Sequence, residues 1–169
     1  MEISPITKDN ASKASHIYAL SWKTAYQDIV PQQYLEELSL ERWTPLLQDS
    51  PYSGFILKDD DKFIATSSIS PARDETMKGW GEIISIYVLP EFFNKGYGKK
   101  LLSFVLSELK GMGFKRIYLW VLEENMQARA FYERNGFVFD GDKTNITIGG
   151  KSLVEMRYTY QTKWAFGVV

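Results

Sequence analysis

Residues 83–109 read IISIYVLPEFFNKGYGKKLLSFVLSEL, and the fold turns on how this stretch is read. An apolar segment ends at Pro90, a short polar loop carries Gly96 and Gly98, and a long apolar-striped segment follows. The pattern predicts a strand, a glycine turn and a helix. A helix that starts this way leaves the N–H groups of its first turn without partners and attracts phosphate.

Working outward, the chain has 169 residues, which predicts one domain over 1–169 with room for a sizeable core. Hydrophobic residues make up 44% and charged residues 24%, an ordinary globular balance. The net charge of -1 gives no global attraction for nucleic acid or membrane, so anion binding has to be local. There is no cysteine and one histidine, His16. Disulfides, thiol nucleophiles, thiolate metal sites and His-based triads are therefore not expected. The opening MEISPITKDN lacks a basic apolar leader and no apolar run reaches spanning length, so a cytoplasmic protein is expected.

Before the decisive stretch, residues 2–6 predict a strand in which Pro5, unable to donate to a ladder, stands on a sheet edge or at a strand end. Asp9 or Asn10 can cap a helix through Ala14, Ile17, Tyr18, Ala19 and Trp22. Pro31 opens a second short helix, and Ser39 can cap a third, LERWTPLLQ, kinked or broken by Pro45. Phe55–Leu57 and Phe63–Ala65 flank Asp59, Asp60 and Asp61, which predicts a hairpin with a solvated acidic turn. A polar connection over 72–79 leads to a strand over 80–89.

After the helix that runs from Gly98 to about Met112, residues 115–122 are almost continuously apolar, as in a strand covered on both faces. Asn125 begins a helix that Asn135 and Gly136 stop. Residues 137–139 look strand-like. Gly149 and Gly150 then turn between ITI and the alternating run SLVEMRYTY. The order predicts a mixed α/β (α+β) sheet with helices on both faces.

Three phosphate motifs compete at residues 94–100. A Walker A loop needs glycine where Phe93 stands and Ser or Thr where Lys100 stands. A dinucleotide fingerprint needs glycine at Leu101. The third is the GNAT acyltransferase loop, Arg/Gln-x-x-Gly-x-Gly/Ala. The chain resembles that family over nearly its whole length, most strongly from Tyr87-Val88-Leu89-Pro90-Glu91 into Lys95-Gly96-Tyr97-Gly98 and Leu101-Leu102. A second block, Asn125, Ala128, Phe131-Tyr132-Glu133 and Gly136-Phe137, matches independently. The departures are Phe93, in place of Arg or Gln, and Asn94, in place of the common Gly.

The resemblance implies a mostly antiparallel sheet of about seven strands, with a splayed parallel pair at the cofactor site. It implies acetyl-CoA (coenzyme A) as donor and a small-molecule or peptide amine as acceptor, attacking directly in a ternary complex. Asn94, Lys95, Gly96, Tyr97, Gly98 and Lys99 would cradle the pyrophosphate, and the backbone of Ile86, Tyr87 and Val88 would line the pantetheine arm. The Val88 N–H is then the oxyanion donor. Tyr132 is the general acid and contacts the cofactor together with Phe131, and Asn125 contacts the arm or simply caps its helix. A non-catalytic acyl-CoA-binding module and an enzyme for a longer acyl-CoA are the rival readings.

Glu82 lies on the same strand as Ile86 and Val88 at even spacing, which predicts one shared face. That makes it the candidate base, with an ammonium contact or a solvated edge position as alternatives. Helical spacing sets Trp22 and Tyr26 on one face of the N-terminal helix, where they contact substrate or pack in the core. Asp28, Asp74, Glu75 and Glu82 are candidates for an acidic acceptor pocket. The aromatic tail around Trp164 and Phe166 is a candidate homodimer contact.

Overall fold

The computed structural model describes residues 1–161. In chain order these form β1 (Glu2–Pro5), α1 (Ala11–Ala25), α2 (Gln32–Glu36), α3 (Thr44–Gln48), β2 (Ser53–Asp59), β3 (Lys62–Pro71) and β4 (Gly81–Val88). There follow α4 (Tyr97–Gly111), β5 (Arg116–Leu122), α5 (Met126–Arg134), β6 (Val138–Ile148) and β7 (Lys151–Gln161). The strands make one sheet in the order β1-β2-β3-β4-β5-β7-β6. All neighbours are antiparallel except β4 and β5, which are parallel.

The apolar stripe of α4 becomes core. Leu101, Leu102, Val105 and Leu109 are buried against Ile83, Ile117, Leu119 and Val121 on one face of the sheet. Each such side chain contributes about 1.5–3 kcal/mol by leaving water. The opposite face is covered by the N-terminal helices. Ala14 and Ile17 of α1 meet Ile56, while Val30, Leu35 and Leu38 meet Leu122 and Leu153 at the ends of β5 and β7.

Pro5 sits at the end of the edge strand β1, where its missing donor does no harm. The β6–β7 turn is tied to α2. Gly149 has φ +58°, and a Cβ there would stand 2.8 Å from the Cβ of Tyr34. Only glycine meets both conditions.

Three local expectations change. Asn10 stands at the N-cap of α1 but accepts from the Thr7 N–H and donates to the Pro5 carbonyl, stapling the preceding turn. Pro45 lies in the first turn of α3 and opens it, since a missing N–H is harmless there. Ser39 takes no part in that cap and instead accepts from the Glu41 N–H. The strand-like 137–139 belongs to a longer edge strand, Val138–Ile148, whose register shifts between Phe139 and Lys143.

Trp164 and Phe166 lie outside the described residues, and the dimer expectation with them. Among the described residues no helix is long and apolar enough to cross a membrane.

Two irregularities position the site. Strands β4 and β5 pair only at Gly81–Ile117 and Glu82–Tyr118, then part. On its other side β4 pairs with β3 as Ile69–Ile83 and then Ser68–Ser85, which leaves Ile84 as an extra bulged residue. A bulge inverts the side-chain alternation beyond it.

Candidate active site

The glycine turn forms as a helix start without a side-chain cap. Gly96 is the N-cap of α4 at φ 87°, and no side chain of the described residues caps the first-turn N–H groups. A residue with a Cβ is strained there. Asn94 also lies in the left-handed region, at φ 60°, which asparagine tolerates better than other non-glycine residues. This is how it fills a position where the family pattern has glycine.

A surface cavity beside the turn is lined by Lys95, Gly96, Tyr97, Lys99, Lys100 and Ser103. The lysines lend it positive charge, with Lys95 lying 5.2 Å from the Phe92 ring centroid. The Tyr97 side chain is spoken for. It packs on Phe92 and donates to Asp59 at 2.7 Å, so only its backbone faces the turn. Asp59 is thereby drawn out of the solvated acidic turn expected for it. Phe93 is half-buried and extended, and nothing in the structure explains its identity.

Past the bulge, Ile86 and Val88 turn to the α4 side of the sheet and pack against its core. The Leu89 N–H donates to the Ile64 carbonyl of β3 at 2.9 Å. Successive strand residues point their N–H groups to opposite sides, so those of Val88 and Ile86 face the gap beside β5. Tyr87 departs from the expected alignment: its backbone turns to β3 and its ring to α1. A Cβ on Gly98 would stand 3.4 Å from Phe131 and 3.5 Å from Val88. The missing side chain keeps open the corner where the turn, the β4 end and α5 meet. An uncapped helix start, exposed lysines, a strand edge with free donors and this open corner fit a pyrophosphate followed by an extended arm.

Across the corner, Asn125 caps α5 by accepting from the Ala128 N–H at 3.1 Å. The cap uses Oδ1 and leaves the side-chain amide NH2 out of it. Tyr132 is buried, and no described residue hydrogen-bonds its hydroxyl. Burial, with a smaller contribution from Tyr26, pushes its pKa well above 10, so it stays protonated.

On the other face Trp22 and Tyr26 form an edge-on pair, centroids 4.9 Å apart. Trp22 Nε1 donates to the Tyr87 hydroxyl at 3.0 Å. Tyr18 bonds Ser68 and Ser85, and Ser21 donates to the Val88 carbonyl, so α1 is bolted to β4 along its length. Trp22 and Tyr26 pack on the α2 cluster as well, so both rings belong to the core on this face.

Glu82 is not where even spacing put it. The bulge places it on the Ser85–Tyr87 face, opposite to Ile86 and Val88. It is buried, with Arg73 Nη2 2.6 Å from Oε1, and with Arg73 N, Arg73 Nε and the Tyr118 hydroxyl on Oε2. Burial opposes its charge, but Arg73 and Tyr118 outweigh burial and hold its pKa below the usual glutamate value. A carboxylate with both oxygens engaged is a fixed anion more than a base.

The family model described as "Acetyltransferase (GNAT) family" matches residues 15–137. The chain belongs to the GNAT family. It is 30% identical over 111 residues to the uncharacterised N-acetyltransferase YuaI of Bacillus subtilis, covering 64% of each chain. With the mycothiol acetyltransferase of Geodermatophilus obscurus it shares 29% identity over 60% of this chain, but only 33% of that one. So the matches span less than two thirds of these relatives. A longer match, 25% identical, joins 94% of this chain to 98% of the spermidine N(1)-acetyltransferase of Thermoplasma acidophilum. Among solved structures, the PaiA N-acetyltransferase of that organism, in complex with coenzyme A, superposes at TM-score 0.74 with 20% identity, covering 96% of this chain and 100% of that one. That likeness concerns the fold.

Within this GNAT domain the expected acidic pocket does not assemble. Asp74 turns back on Thr76, while Asp28 and Glu75 are exposed. Glu82 is buried and Glu155 half-buried on the face of the sheet that α1 and α2 cover. Neither Arg73, Tyr118 nor Glu155 was singled out from the sequence. Arg73 sits in a polar loop, and Glu155 occupies a polar place in an alternating strand, as solvent-facing residues also do. His16 pairs with Glu41 at 2.6 Å on the surface. Among the described residues no group of His, Asp and Glu side chains is arranged to hold a metal.

Proposed function

We propose that the protein is an N-acetyltransferase that moves an acetyl group from acetyl-CoA to a primary amine of a small molecule or peptide. The observation that carries this is the parting of β4 from β5 after Glu82–Tyr118, directly ahead of a helix start with no cap. In this reading the gap takes backbone donors from β4, and Tyr132 of α5, whose buried hydroxyl no described residue hydrogen-bonds, serves it from the other side.

Bound acetyl-CoA would supply the activated thioester. The first-turn N–H groups of α4, with Lys95 and Lys99, hold the pyrophosphate. Ile86 and Val88 offer strand-edge groups to the arm, and the Asn125 amide lies at its far side. The Val88 N–H is aimed to stabilise an oxyanion; losing such a donor costs about 2.7–4 kcal/mol in other enzymes. Tyr132, held protonated by burial, donates to the departing sulfur. With no cysteine in the chain, direct attack by the amine is the simplest route. Trp22, Tyr26 and Tyr87 wall the acceptor side.

Small polyamines are the first acceptors to try, because relatives include the spermidine N(1)-acetyltransferase above and a spermine/spermidine N(1)-acetyltransferase of Bacillus subtilis, 32% identical over 53% of this chain. The test is acetyl transfer to a panel of polyamines, aminoglycosides, amino acids and peptide N-termini. Transfer to one class supports the reading. Tight acetyl-CoA binding without transfer to any amine replaces it with a binding module, and preference for propionyl- or succinyl-CoA replaces the donor.

A further inference from the structure

We infer that Glu155 is the carboxylate that receives the acceptor ammonium and takes its proton; this rests on the acetyltransferase reading above. Glu155 of β7 stands opposite Leu122 of β5 and Thr144 of β6. The β5–β7 ladder runs unbroken to this rung, whereas β4 has already left β5 after Tyr118. Glu155 therefore lies beside the opening. Its neighbours in alternation, Met156 and Tyr158, enter the α4–α5 core, while Leu153 packs with α2 on the other face. Glu155 shares the Leu153 face, which is the acceptor side.

The side chain is half-buried, and no described residue gives it a hydrogen bond or ion pair. This contrasts with Glu82, whose two oxygens are filled. Tyr26 lies within electrostatic reach of both Glu155 and Tyr132. The charged groups that act on it are Arg73 and Glu82, closed on each other; at the same end of the strands Glu123 pairs with Lys143 and Glu124 with Lys151, and Arg157 lies further along β7. Asp140 and Asp142 hold Arg157. An unpaired carboxylate at the mouth of an amine site calls for a cation. Burial, and less strongly Glu82, raise the Glu155 pKa against the opposing pull of Arg73, which makes it a better base than a solvated glutamate.

The step balances. Glu155 takes one proton from the ammonium, and the freed nitrogen lone pair forms the C–N bond at the thioester carbonyl. The C–S bond breaks as the Tyr132 proton passes to sulfur, and the tyrosinate recovers a proton from the new amide nitrogen. Glu155 then releases its proton to water.

The test compares wild type, Glu155→Gln and Glu155→Asp with the amine that wild type acetylates fastest in the panel. The expected result for Glu155→Gln is a KM for the amine raised at least tenfold, kcat/KM down roughly a hundredfold, loss of the acidic limb of the pH profile and an unchanged Kd for acetyl-CoA. Glu155→Asp restores part of the rate. Independently of turnover, carbon-13 NMR of the Glu155 carboxyl in protein without donor shows its titration moving down when that amine is added. An unchanged amine KM and pH limb in Glu155→Gln, or a titration the amine does not move, overturns the role of Glu155 alone. Wild type that transfers to no amine overturns the acetyltransferase reading together with this one.

Discussion

Tyr118 donates its hydroxyl to Glu82 Oε2 at 2.8 Å across the last paired rung of β4 and β5. The two strands separate immediately beyond this bond. Arg73 closes the other side of Glu82, so a buried ionic knot sits where the cofactor gap begins.

That knot predicts a pH effect. A carboxylate whose folded pKa is lowered adds stability that is complete above the unfolded value, near 4.5, and is lost as pH falls through the folded value below it. Arg73→Ala should remove this contribution and leave Glu82 buried without its cation. Breaking a fully buried pair costs roughly 3–5 kcal/mol. Arg73 is half exposed and water screens part of its charge, so about 2 kcal/mol is expected. Urea unfolding of wild type and variant between pH 3 and 7 checks it: the difference should shrink toward acid pH, and a constant difference would point to packing.

The two glycines of the turn should behave differently. Gly96→Ala places a Cβ at φ 87° and should destabilise by about 1–2 kcal/mol. Gly98→Ala meets only ordinary contacts with Phe131 and Val88 and should leave stability and coenzyme A binding nearly unchanged. Gly98→Val fills the corner and should weaken coenzyme A binding more than tenfold. Thermal melts with calorimetric coenzyme A titrations separate the three.

Tyr132→Phe removes a hydroxyl that no described residue bonds. Folding stability and acetyl-CoA affinity should stay close to wild type, while turnover falls about a hundredfold. Because its pKa is pushed upward, wild-type turnover should show no alkaline loss from this group below pH 10. Full activity in the Phe variant would take the acid role from it.

Tyr18→Phe tests the bolt between α1 and β4. Its hydroxyl is shared by Ser68 and Ser85 in the interior, and leaving these partners unsatisfied costs about 1–2 kcal/mol. A lower urea midpoint with an unchanged denaturant slope is the expected signature.

The run from residue 83 to 109 and the block from Asn125 to Phe137 carried enough local chemistry to be read without coordinates. Apolar alternation, glycines at a helix start and an asparagine cap are dictated by neighbours a few residues apart, while the family and its sheet were read from resemblance. The parting of β4 from β5 followed only from the resemblance, and the bulge at Ile84 from nothing local, since a bulge exists only relative to a pairing strand. That one residue moved Glu82 to the other face. The meeting of Arg73, Tyr118 and Glu82, and the position of Glu155 beside the opening, join segments far apart in the chain. The sequence alone thus determined the glycine turn, and its resemblance pointed to the family. The tertiary structure decided which carboxylate is locked and which is unpaired, because burial and partnership belong to the packed sheet.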